Sequence, residues 1–157
     1  MTNLNRDFRD ILSFFNAESV EYLVVGGYAL AAHGLPRATS DIALWTNPTA
    51  LNAPRVYRAL TAFGAPVDRF TLSDFESGDL ILQIGLPPSR VDVITSIAGV
   101  SFENAWPNRV TVKLDGMTVT VLGKADLMLN KRTVGRPQDR ADVARLEKQA
   151  QKHAEPS

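Results

Sequence analysis

The chain has no cysteine, no net charge and no long apolar run. Without cysteine there are no disulfides and no thiolate metal site, and a reducing compartment is compatible. A cytoplasmic location is the expectation. No apolar stretch approaches the ~20 residues of a membrane-spanning helix. The opening MTNLNRDFRD lacks the apolar core of a signal peptide, so no membrane partner is expected. Lys and Arg total 17 and so do Asp and Glu. That balance gives no long-range pull toward nucleic acid and leaves a local basic patch open. What is present is ordinary globular material: 157 residues, 45% of them hydrophobic, enough for one domain with a real core. There is no internal repeat and no linker. A single domain over 1–152 with a frayed tail at 153–157 is expected.

The chain is organised around residues 22–46. An apolar run, Tyr22 to Val25, meets Gly26 and Gly27. A small-residue segment with helical character follows, from Tyr28 to His33. A polar turn carries Arg37, Thr39 and Ser40, and a second strand-like run spans Asp41 to Trp45. This reads as strand, glycine turn, short helix, loop, strand. Two glycines let backbone N–H groups approach an anion, and a helix N-terminus adds positive potential. A phosphate cradle facing a carboxylate is the arrangement a metal–nucleotide complex needs.

Helical spacing of Phe8, Ile11, Leu12 and Phe15 predicts an amphipathic first helix over 5–16. A second helix is expected over 49–63, with Leu51, Val56, Leu60 and Phe63 inward; Pro54 could move its start to Asn52. Residues 67–79 read as irregular, with one turn at 73–76 capped through Ser73 and Glu76. Runs at 80–85 and 90–95, separated by Pro87-Pro88, predict an antiparallel hairpin. A short helix over 102–106 ends at Pro107. Alternating β-branched residues around Asp115-Gly116 predict another hairpin. Helices follow over 123–133 and 137–151, the last entered through Pro137. The expected fold is α/β (α+β by stricter usage), a small mixed, mostly antiparallel sheet flanked by helices.

Alternation along a strand puts Ile42 and Leu44 on one face and Asp41, Ala43 and Trp45 on the other. Asp92 opposes Val91 and Val93 in the same way. A lone carboxylate on an apolar strand is costly to bury, so Asp92 wants water, a cation or a metal. If the two strands are neighbours, Asp41 and Asp92 converge. Pairing of Asp92 with Arg90 or Arg37 is the structural alternative.

With these residues in place, the chain resembles the nucleotidyltransferase superfamily with the DNA polymerase β-like minimal fold. More narrowly it resembles the bacterial AbiEii-type and DUF6036-type proteins. The likeness rests on Gly26-Gly27, then His33-Gly34, Arg37, Thr39 and Asp41, then Asp92. Lys131, Gly135-Arg136-Pro137, Asp139 and Asp142 complete it. It implies triphosphate binding by Gly26, Gly27, Arg37, Thr39, Lys131 and Arg136. It also implies Mg²⁺ binding by Asp41 and Asp92, with position 43 as a further ligand and Lys131 in the catalytic set. One position departs: Ala43 stands where the family pattern has aspartate, and a methyl group cannot ligate a cation. Intact motifs on either side favour an introduced substitution over natural decay. Either way, transfer by this chain is expected to be impaired. The resemblance further implies transfer of a nucleoside monophosphate from an NTP, first to RNA (a tRNA 3′ end) as the toxin of a toxin–antitoxin pair with a cognate antitoxin. An antibiotic- or protein-modifying enzyme, or a catalytically dead nucleotide-binding or antitoxin component, are the alternatives. Asp139 and Asp142 are either catalytic or there to fix Lys131 and Arg136. His33 reads as a turn residue, and Trp45 as either a base-stacking or a buried group.

Overall fold

The computed structural model describes residues 4–154. Its centre is a six-stranded sheet in the order β3-β4-β2-β1-β6-β5, formed by β1 (Tyr22–Val25), β2 (Asp41–Thr46), β3 (Ile81–Ile84), β4 (Arg90–Ile94), β5 (Val110–Leu114) and β6 (Met117–Val121). Neighbours are antiparallel at β3/β4, β2/β1 and β6/β5, and parallel at β4/β2 and β1/β6. The mixed, mostly antiparallel sheet expected from sequence is therefore present.

The register sorts side chains onto two faces. Val24 lies opposite Leu44 and Val121, and Leu44 lies opposite Val93, which faces Leu82. All five are buried. This face is covered by α1 (Arg6–Ala17) and α3 (Ala53–Phe63), which pack on each other; Phe15 of α1 meets Tyr22 edge-on at 5.5 Å. The predicted α1 core residues Phe8, Ile11, Leu12 and Phe15 are all fully buried. Burying such side chains contributes roughly 1.5–3 kcal/mol each. The second face is apolar at one end, where Trp45 packs edge-on at 5.0 Å against Phe102 of α5 (Phe102–Ala105). At its other end it carries charge: Asp41, Arg90 and Asp92.

Leu51 does not point inward as the spacing predicted; it is 67% exposed. The helix begins at Ala53 because Asn52 is committed elsewhere. Its side chain accepts the Glu21 N–H and donates to the carbonyls of Glu21 and Asn47, pinning the preceding segment as a turn. The short α4 (Leu72–Glu76) is capped by Asp74 accepting the Thr71 N–H at 2.8 Å, not through Ser73 and Glu76. Pro107 does not end a helix; it lies inside a 3₁₀ turn, Trp106–Asn108, that continues α5. The hairpin at Asp115-Gly116 is present, with both residues at positive φ, 53° and 81°. Those values match the two-residue turns whose twist suits paired strands. After β6 come α6 (Lys124–Val134) and α7 (Pro137–Ala154). The last helix runs into the tail expected to fray; the remainder of that tail, 155–157, lies outside the described residues. Among the described residues no helix is long and apolar enough to cross a membrane.

Candidate functional site

The turn after β1 is built on Gly26, at φ 74° and ψ −146°. Only glycine occupies that region without strain. It caps the short helix α2 (Gly27–Ala32) and turns the chain back over β2, where Val25 pairs with Ala43. A Cβ on Gly26 would sit 3.9 Å from the Ala43 methyl, so the glycine turn and position 43 are neighbours. A Cβ on Gly27 would approach Thr39 to 3.2 Å. Thr39 in turn holds Asp41: its hydroxyl lies 2.8 Å from the Asp41 carbonyl and 3.1 Å from its carboxylate. Gly26, Gly27, Thr39, Asp41 and Ala43 thus form one locality.

Asp92 joins them across the β2/β4 pairing. Asp41 is directly opposite Arg90, and Ala43 is directly opposite Asp92. Asp41 and Asp92 lie diagonally on one face, both within reach of the same guanidinium. The convergence expected from sequence is therefore realised. Arg90 links them: its Nη2 donates to Asp41 at 2.7 Å, and its Nε lies 3.3 Å from Asp92. Burial pushes the Asp92 carboxyl above its ordinary range; Arg90 opposes that shift and Asp41 adds to it. The Tyr28 hydroxyl is raised as well, by burial and then by the Asp41 charge.

Two converging carboxylates beside a glycine turn are the donor set of a hard cation that completes its shell with phosphate oxygens and water. One observation supports the fit: Asp92 Oδ1 is buried and accepts no hydrogen bond. Among the described residues no third His, Asp or Glu joins them. The methyl of Ala43 faces the place where a third carboxylate would project. The residues present therefore suit one divalent ion and not a pair.

The C-terminal residues form a second cluster. Lys131, only 7% exposed, sits 3.2 Å from Asp139 and 3.0 Å from Asp142, both carboxylates being buried. Arg37 closes a two-pronged pair on Asp142, with one arm at 3.0 Å. Arg136 grips Asp139 through Nε at 2.7 Å and through its backbone N–H at 3.2 Å. The Arg136 hydrogen bond, against the opposing effect of burial and with help from Lys131, holds the Asp139 carboxyl down at about 2. Burial disfavours ionised Asp142, but Arg37 and Lys131 outweigh it and keep its pKa low. Asp139 and Asp142 therefore fix Lys131, Arg136 and Arg37. The two clusters are tied through Arg37-Ala38-Thr39, at most ~7 Å of chain between the outer Cα atoms.

His33 lies outside the site, with its Nε2 2.7 Å from the Leu122 carbonyl. Trp45 is buried to 1% exposure and is not a stacking surface. The sequence reading considered an Arg90–Asp92 pair, and the structure adds that Arg90 also reaches Asp41. The Arg-x-Asp spacing on β4 was the available signal. Gln83, exposed and directly opposite Asp92, had no sequence signal. A groove of about 610 Å³ lined by Asp68, Arg69, Phe70 and Ile81 extends along β3 to Gln83.

No protein-family model matches the chain, and no curated protein does. Solved structures do. A candidate nucleotidyltransferase from Thermotoga maritima superposes with a TM-score of 0.60 over 94% of this chain and 97% of its own, at 17% identity. The lincosamide antibiotic adenylyltransferase LnuA, bound to lincomycin, gives 0.53 over 93% and 98%, at 16% identity. At such low identity the likeness bears on architecture, and over nearly its whole length this chain has the fold those nucleotidyltransferase structures share.

Proposed function

We propose that this chain is a nucleotide-binding member of the nucleotidyltransferase superfamily, of the AbiEii/DUF6036 type, whose transfer chemistry is impaired by Ala43. The observation that carries the reading is the convergence of Asp41 and Asp92 beside the Gly26–Gly27 turn. The backbone N–H groups of that turn would receive triphosphate oxygens. Thr39 orients Asp41 and lines the cradle. Lys131 would reach a phosphate only by leaving both carboxylates, so its role is to position; Arg136, whose side chain is 68% exposed, is the freer cation for phosphate. When bound, Mg²⁺ would neutralise triphosphate charge. The acceptor hydroxyl would be aligned at the α-phosphorus by the chain's own walls, and pyrophosphate would leave; alignment supplies much of the rate in such reactions.

For the acceptor, RNA at a tRNA 3′ end, in a toxin held by a cognate antitoxin, is the first proposal. The architecture shared with LnuA favours a small antibiotic as the second. Ala43 favours a third, a catalytically silent nucleotide-binding partner. The test is nucleotide transfer by Ala43→Asp with labelled NTP against tRNA, a lincosamide and total protein. Restored transfer of at least about 100-fold over the Ala43 chain is expected, as for other single electrostatic groups in a reaction centre. Label in RNA supports the first acceptor and label in lincosamide the second. Tight NTP binding without transfer to anything supports the third. Absence of NTP binding in both forms would refute the nucleotide site altogether.

A further inference from the structure

Two diagonally placed carboxylates on β2 and β4 do not stand empty of charge. Arg90 starts β4 directly opposite Asp41, two residues before Asp92, so its side chain projects on the same face as both. Its Nη2 donates to Asp41 at 2.7 Å and lies 3.4 Å from Asp92 Oδ2, while its Nε is 3.3 Å from Asp92 Oδ1. A single planar guanidinium thus spans both acids, the geometry that arginine's fork permits and lysine's point charge does not. The grip is incomplete. Arg90 Nε and Asp92 Oδ1 are both buried, and neither makes an aligned hydrogen bond. An incompletely satisfied buried pair is one that another partner can displace.

We propose that Arg90 is an intramolecular counter-cation occupying the space between Asp41 and Asp92, so that it and a divalent cation compete for the same two carboxylates. This deepens the proposed nucleotide site and rests on it. Asp41 and Asp92 contribute two negative charges and Arg90 one positive, leaving the locality at −1; an aspartate at position 43 would take it to −2. The chain as it stands therefore holds its one divalent ion more weakly for two separable reasons, the missing carboxylate and the resident guanidinium. Arg90, a third exposed, has room to turn outward, and a triphosphate arriving with its metal offers it new oxygens to bind. The exchange replaces one cation by another on the acids and moves the first onto the phosphates.

The experiment is Mn²⁺ binding by electron paramagnetic resonance to four chains: native, Arg90→Gln, Ala43→Asp and the double variant, each also melted with and without Mg²⁺. Arg90→Gln is expected to tighten Mn²⁺ by at least about tenfold in both backgrounds, the scale on which groups behind metal ligands act. Mg²⁺ should raise its melting temperature more than that of the native chain. A fifth chain, Arg90→Lys, keeps the charge but not the fork that spans both acids, and should bind Mn²⁺ with an affinity between those of the native chain and Arg90→Gln. Unchanged or weaker binding in the Gln variants, with Mn²⁺ still bound by Ala43→Asp, overturns the role of Arg90 alone. No binding by any of the four overturns the metal reading of the site as well. Should the Gln variants not fold, the native protein decides. Exchange of the Arg90 Nε–H with water, followed by nuclear magnetic resonance, is expected to speed up on adding Mg²⁺ without nucleotide, and no change at Mg²⁺ concentrations that displace bound Mn²⁺ would overturn the proposal.

Discussion

Replacing Asp142 by asparagine tests the logic of the second cluster. Asp142 is buried to 1% exposure and answers two cations at once, Arg37 and Lys131. The amide preserves shape and removes the charge. Removing one member of a buried ion pair costs roughly 3–5 kcal/mol because the partner is left uncompensated. Here two features place the cost at the lower end. Lys131 keeps Asp139 at 3.2 Å, and the Arg37 side chain, 26% exposed, can turn to water. The expected loss is about 3 kcal/mol, or a fall in melting temperature of about 6–12 °C for a domain of this size. Lys131→Met is the matched comparison. It removes the most buried cation but leaves Asp139 with Arg136 and Asp142 with Arg37. A hydrophobe of similar volume also relieves the desolvation of the ammonium, and each carboxylate keeps an arginine, so the loss should be smaller than for Asp142→Asn. Urea unfolding at neutral pH measures both, with unchanged m-values as the condition for comparing them. A loss under about 1 kcal/mol for Asp142→Asn, or a larger loss for Lys131→Met than for Asp142→Asn, would refute this account.

The same cluster sets a pH dependence. Asp139 has its folded pKa depressed to about 2, so its contribution is complete above the ordinary aspartate value of ~3.9 and is lost as pH falls toward 2; Asp139→Asn should flatten the stability curve between those limits. Gly26→Ala forces a Cβ into φ 74°, ψ −146° and should cost about 1–3 kcal/mol in unfolding while weakening NTP binding in equilibrium dialysis. Asp92→Asn should leave stability unchanged or raise it by up to about 1 kcal/mol, because burial and Asp41 disfavour its charge; calorimetry showing a large loss would instead mark Asp92 as a structural partner of Arg90.

Much of this molecule was legible before any coordinates. Strong period-3.6 and period-2 patterns located α1, both hairpins and the strands bearing Asp41 and Asp92. Alternation alone put Ile42 and Leu44 inward and Asp41 with Ala43 on the opposite face. Boundaries were less secure where a side chain bound distant backbone, as Asn52 does at the start of α3, or where two local caps competed, as Thr71 with Asp74 displaced Ser73 with Glu76 at α4.

Local chemistry fixes what a short segment prefers, and so the glycine turn, the alternating strands and the missing carboxylate at position 43 were determined in one dimension. Which strands become neighbours is a long-range choice. It rests on closing the apolar face of the sheet under α1 and α3, and no short window contains that information. The parallel β2/β4 pairing brings Asp92 opposite Ala43 and sets Arg90 across both acids. The docking of α6 and α7 gives Arg37 to Asp142, 105 residues away. Those partnerships turn a row of separate charges into two clusters of paired charges, because charges leave water only together with their counter-ions.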